Sequence, residues 1–102
     1  MASHKLRFDP QFARGLGTER AYYEDQSKKA AAKFKSATRK QLTLIKKNPH
    51  SRSVRYDDVR FACTEKFPYS IHYSIDAESN CVLVHRILCD YQDPDTNWRK
   101  TL

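Results

Sequence analysis

Two hydrophobic rhythms divide the chain near Pro49. Before it, apolar residues recur at helical spacing; after it, they alternate with polar ones as in strands. Leu6–Phe8 reads as a short first strand. Asp9-Pro10 then opens a helix, with Asp9 as N-cap and Pro10 at the first helical position, where no N–H donor is missed. A helix to about Tyr23 places Phe12, Leu16 and Tyr23 near one face, although Gly15 and Gly17 each cost it about 1 kcal/mol relative to alanine. Ser27 caps a second helix running to about Lys47, which Asn48-Pro49 stops. At 100° per residue, Ala31, Phe34, Ala37, Thr38, Gln41, Leu42, Leu44 and Ile45 fall within an arc of about 160°. The lysines and arginines of this helix fill the complementary arc, so one face is expected to pack on a sheet and the other to be cationic.

In the second half, Val59, Phe61 and Cys63 alternate with Arg60, Ala62 and Thr64. Tyr69, Ile71, Tyr73 and Ile75 alternate with Ser70, His72 and Ser74, as in a strand with one buried face. Asp76–Asn80 reads as a hairpin loop. Cys81–Leu88 is apolar on both parities except at His85 and Arg86, which marks a central strand. The predicted order is β-α-α-β-β-β. This is an α+β fold, with two N-terminal helices packed on one face of a small, mostly antiparallel sheet. Phe34 and Ile45 are expected to pack on Ile71, Tyr73 and Leu83.

With 102 residues, 39% hydrophobic, the chain is expected to form a single domain over residues 1–102 around one modest core. Two glycines and four prolines exclude collagen-like and low-complexity architectures. No run approaches the length of a membrane span, and the start at Met1–Phe8 lacks the apolar stretch of a signal peptide, so a cytoplasmic protein without membrane contact is expected.

Charge changes the picture. The net charge is +7, and it is uneven. Between Gln26 and Tyr56 there is no acid, while Lys28, Lys29, Lys33, Lys35, Arg39, Lys40, Lys46, Lys47, Arg52 and Arg55 are all basic. No acid at i±4 relieves the repulsion between neighbouring lysines of the second helix, so folding gains little from the arrangement. A polyanion or an acidic protein is the expected counterpart, with Lys28, Lys29, Lys33, Lys40, Lys47, Arg52 and Arg55 as the contact candidates. The competing reading is a solvated, solubilising face. Cys63, Cys81 and Cys89 are odd in number and match no zinc spacing. Cys81 and Cys89 lie on one predicted strand at roughly 26 Å, beyond disulfide reach, so all three are expected to be reduced. No metal and no cofactor is expected.

Several segments in order carry a resemblance. Tyr22-Tyr23-Glu24-Asp25-Gln26-Ser27 closes the first helix and Ile45-Lys46-Lys47-Asn48-Pro49 the second. Val59-Arg60 and Phe67-Pro68-Tyr69-Ser70-Ile71-His72-Tyr73 follow, then Val82-Leu83-Val84-His85-Arg86-Ile87-Leu88 with Asp93-Pro94 and Trp98. Together they resemble the RelE/ParE toxin superfamily over nearly the whole chain. The resemblance implies a toxin of a type II toxin–antitoxin pair, held inactive by a cognate antitoxin. RelE-like members cut mRNA in the ribosome, and ParE-like members poison DNA gyrase.

Cleavage of RNA by its own 2′-hydroxyl needs a base, an acid and a cation for the developing phosphorane charge. The candidates for such a site are Arg60, His72, His85 and Arg86 on the sheet, with Tyr91 following the last strand, and Arg60, His85, Arg86 and Tyr91 are the set for catalysis. Ser70 and Asp90 stand where the cutting members carry positive charge, which favours a ParE-like toxin that arrests growth by binding its target. A RelE-like ribosome-dependent endonuclease is the alternative, and a non-toxic nucleic-acid-binding module is a further one. Each candidate also has a structural reading. His72 reads as solvated, His85 as a satisfied core histidine, Arg86 as a partner for Asp90 or Glu65, and Tyr91 and Trp98 as covers for a sheet edge.

Overall fold

The computed structural model describes residues 4–89. Strand β1 (Lys5–Phe8) leads into helix α1 (Pro10–Gln26), whose N-cap Asp9 accepts a 2.8 Å hydrogen bond from the Gln11 amide. Ser27 ends α1 and caps helix α2 (Lys28–Lys47), accepting from the Ala30 amide at 3.2 Å. One extended residue between the two helices turns the chain back, so they form a hairpin. After α2 come a 3-10 turn (Pro49–Ser51) and strands β2 (Val54–Tyr56), β3 (Val59–Cys63), β4 (Tyr69–Asp76) and β5 (Cys81–Cys89). α1 runs three residues past the expected end at Tyr23. β2 was not legible, because Val54-Arg55-Tyr56 is too short to display an alternation.

The five strands form one sheet in the order β1-β5-β4-β3-β2. β1 runs parallel to β5, and the other pairings are antiparallel. Both helices cover one face, here called the helix face. Phe12, Phe34 and Ile45 meet Ala62, Tyr69, Ile71, Tyr73, Val82, Val84 and Ile87 there. Phe34 is fully buried, with its ring against Tyr23, Phe67 and Tyr69. Of the apolar arc of α2, Leu44 departs from expectation. It is 43% exposed, because it stands at the rim of that arc, whereas Ile45 beside it points inward and is 3% exposed.

Register decides what lies where. Ile71 pairs with Ile87 and His72 with Arg86, but Tyr73 pairs with Val84, so β5 carries one additional residue, His85, as a β-bulge. The bulge reverses parity along β5. Val82 and Val84 face the helices before it and Ile87 after it. Leu83, expected in the core with Phe34, is therefore replaced there by Val82 and Val84. β4 also departs from a one-faced strand, because Ser70, His72 and Ser74 are buried as well.

Candidate functional site

Two surfaces carry chemistry. The first is the solvent side of α2, where Lys28, Lys29, Lys33, Lys35, Arg39, Lys40, Lys46 and Lys47 are all exposed. Lys28 and Lys29 stand in the first turn, which holds no acid, against the positive end of the helix dipole. Lys40 is the exception to the expected uniformity. Its Nζ donates to both Glu65 carboxylate oxygens at 3.0 and 2.9 Å, so Glu65 serves α2 rather than Arg86. Both side chains are more than half exposed, and such a pair contributes at most about 1 kcal/mol. Between α1 and α2 runs a groove of about 210 Å³, with Leu16, Phe34, Thr38 and Leu42 inside and Arg20, Lys35 and Arg39 around it.

The second surface is the sheet face away from the helices. β4 and β5 place His72 opposite Arg86 there, and β3 adds Phe61 opposite His72. The His72 ring stacks on Phe61 with centroids 3.9 Å apart and an interplanar angle of 28°. His72 Nδ1 is hydrogen-bonded to the Tyr56 hydroxyl at 3.3 Å, and Arg55 lies over the other aromatic partner, Phe61, at 5.6 Å. His72 is not the solvated side chain expected from its parity. Its exposure is 0%, because β3 and β5 flank it and Phe61 and Tyr56 cover it. Burial, then the charges of Arg86 and His85, lower its pKa to about 4, so the ring is neutral at physiological pH. His85 is not enclosed in the core. It is half-buried at the bulge, and its Nε2 shares a 2.7 Å hydrogen bond with Ser74 Oγ.

Of the nuclease candidates, the two arginines, both within the described residues, do not share one face of the sheet. Arg60 pairs in register with Tyr73 and so belongs to the helix face, on the opposite side of the sheet from Arg86. There its Nη1 donates to the carbonyls of Arg52 and His50, pinning the loop after α2, while Tyr73 donates to the Pro49 carbonyl at 2.7 Å. Asp90, Tyr91 and Trp98 lie outside the described residues. The cationic candidates divide too. Lys28, Lys29, Lys33, Lys40 and Lys47 share α2, whereas Arg55 sits with Phe61 on the far side of the sheet. His72, a sheet-face candidate read as solvated, is buried instead. The signal that pointed to it was Cys81–Leu88, apolar on both parities, because a strand beside it is then covered on both faces. Among the described residues, no group of acidic, histidine or cysteine side chains has the geometry to hold a metal, and no helix is long and apolar enough to cross a membrane.

Known proteins sharpen this picture. Residues 6–94 match the family described as the ParE toxin of the type II toxin–antitoxin system parDE. Three solved structures share the fold. The chromosomal ParDE toxin–antitoxin system of P. aeruginosa superposes with a TM-score of 0.71 at 17% identity, covering 84% of this chain and 95% of that one. The RelBE2 toxin–antitoxin complex of Mycobacterium tuberculosis gives 0.60 at 16% identity, with 87% and 93% covered. The isolated E. coli RelE toxin also gives 0.60, at 14% identity with 97% and 99% covered. No curated protein matches the sequence.

Proposed function

We propose, from the premise that this chain belongs to the ParE toxin family of type II toxin–antitoxin systems, that it is a cytoplasmic toxin that arrests growth by binding DNA gyrase. A cognate antitoxin neutralises it. The observation that carries the choice of binding over catalysis is the division of the arginines. Arg60 and Arg86 lie on opposite faces of the sheet, and Arg60 is committed to the carbonyls of His50 and Arg52. A phosphorane charge needs preorganised cations converging on one point, and these two do not converge. His72, neutral and buried, supplies no cation either.

The antitoxin is expected to meet the groove between the helices, where an apolar interior and the Arg20, Lys35 and Arg39 rim suit an acidic amphipathic segment. Association is then expected to slow as salt rises.

Purified protein added to a gyrase supercoiling assay and to a translating extract separates the readings. Inhibited supercoiling with intact mRNA is expected. Cleaved mRNA with unaffected supercoiling would transfer the chain to the RelE-like alternative, a ribosome-dependent endonuclease. One observation favours that second reading: among the described residues, seven of the eight α2 cations pair with no acid, a surface suited to ribosomal RNA. In that case Arg86→Ala combined with Tyr91→Phe should abolish cleavage and leave antitoxin binding intact.

A further inference from the structure

The cations of α2 are not spread evenly over its exposed side. At 100° per residue, Lys28, Lys35, Arg39 and Lys46 fall within about 40° of one another and form one row along the helix. Lys29, Lys33, Lys40 and Lys47 form a second row of similar width, centred about 115° from the first. Ala32, Ser36 and Thr43, all exposed, occupy the line between them. Tertiary structure adds to both rows. Arg20 of α1 lines one concavity with Lys28 and Lys35, and the apolar groove with Lys35 and Arg39, so it joins the first row. Lys66, exposed on the β3–β4 turn at φ 67°, lines another concavity with Lys33 and Lys40 and joins the second. Among the described residues, one paired carboxylate answers each row, Glu24 on Arg20 and Glu65 on Lys40. Lys35 with Arg39, and Lys29 with Lys33, are like charges at i,i+4, which costs the helix stability. Two such rows along a helix of 20 residues, about 30 Å, suit a ligand with two lines of negative charge.

We infer that this face of α2 binds the phosphate backbone of duplex DNA, one row to each of the two strands that border the major groove. An α-helix with its side chains is about 10–12 Å across, so rows about 115° apart stand about 8–10 Å from each other. The major groove of B-DNA is about 12 Å wide and admits a helix, whereas that of A-form RNA is deep and narrow. Single strands are disfavoured for another reason. They are held by stacking on aromatic rings, and Phe34, the one aromatic residue of α2, is buried. Ala32, Ser36 and Thr43 offer no bidentate pair to a base edge, so binding is expected to be indifferent to sequence. The inference deepens the gyrase reading and rests on it for a target that works on duplex DNA. Arg20, Lys35 and Arg39 also rim the groove proposed for the antitoxin, so a bound antitoxin takes the first row away from DNA.

The test is the fluorescence anisotropy of short labelled duplexes with the full chain and no gyrase present. Two DNA duplexes of unrelated sequence are expected to bind equally well, and binding to weaken steeply as salt rises. Lys35→Ala with Arg39→Ala in one row, and Lys29→Ala with Lys33→Ala in the other, should each lower affinity about tenfold and reduce the salt slope by about two. Lys5→Ala with Arg7→Ala removes the same charge from β1 and should change neither. Circular dichroism checks that each variant is folded. Equal losses in the β1 variant, a loss from one row alone, or no saturable binding at low salt overturns the two-row contact. Tighter binding to an RNA duplex, to the single strand or to polyglutamate overturns DNA as the ligand and assigns the face to that probe. The gyrase reading fails separately. A chain that binds DNA through both rows yet leaves supercoiling untouched keeps this contact and loses gyrase, and one that inhibits supercoiling without binding DNA does the reverse.

Discussion

The hydroxyl of Tyr69 donates a 2.6 Å hydrogen bond to Glu19 Oε2, joining β4 to α1 across 50 residues of sequence. Burial and then the Glu19 bond raise the Tyr69 pKa well above the usual phenol range, so the proton stays on the hydroxyl. A hydrogen bond to a charged acceptor, here a part-buried one, contributes about 1.5–3 kcal/mol. Tyr69→Phe should lower stability by that amount in urea unfolding, and adding Glu19→Gln to Tyr69→Phe should cost much less than Glu19→Gln alone. Additive losses would show that the bond contributes nothing.

The two faces of α2 should answer differently to truncation. Phe34→Ala removes a fully buried ring and should cost about 3–5 kcal/mol, a large part of the total for a chain this small. Lys33→Ala, on the exposed face, should stay within about 0.5 kcal/mol. Denaturation midpoints of the two variants check both figures.

Arg60 should behave as a structural residue. Arg60→Met leaves the carbonyls of His50 and Arg52 without their guanidinium donor and should cost about 1–3 kcal/mol. Toxicity per folded molecule should be unchanged. Full stability with lost toxicity would instead place Arg60 at the target.

Acid should expose the burial of His72. In the folded chain it protonates near pH 4, against 6.5 for the unfolded chain, so the unfolded state takes up the proton first as pH falls. The stability linked to this residue is complete above about pH 6.5 and is lost progressively down to pH 4, by on the order of 2–3 kcal/mol. Urea midpoints measured from pH 7 to pH 4 should follow this slope, and His72→Phe should flatten it.

Gly17 offers a stabilising change. A Cβ there meets nothing within 4 Å, so Gly17→Ala should gain about 0.5–1 kcal/mol from helix propensity. Gly15 sits against β5, where an added methyl would stand 3.4 Å from Ile87 Cγ2, and Gly15→Ala should gain less. A lower thermal midpoint for Gly17→Ala would contradict the packing described for α1.

What the chain determined by itself is what neighbouring residues settle among themselves. Asp9 and Ser27 cap α1 and α2 through bonds to amides two and three residues away, and Asn48-Pro49 ends α2 locally. The amphipathic arc of α2, the alternation of β4 and the Asp76–Asn80 turn are likewise written at short range, and with them the α+β class. The tertiary structure alone decided the site. The bulge at His85 arises from pairing β5 with β4, and a one-residue change of register moves every later side chain to the other face. That is why Leu83 left the core and why Arg60 and Arg86 ended on opposite sides of the sheet. His72 became buried only because β3 and β5 flank its strand, bringing Phe61 and Arg86 beside it from 11 and 14 residues away. Periodicity within one strand reports which residues share a side, whereas which side is dry and who stands opposite depends on partners that the strand's own pattern does not contain.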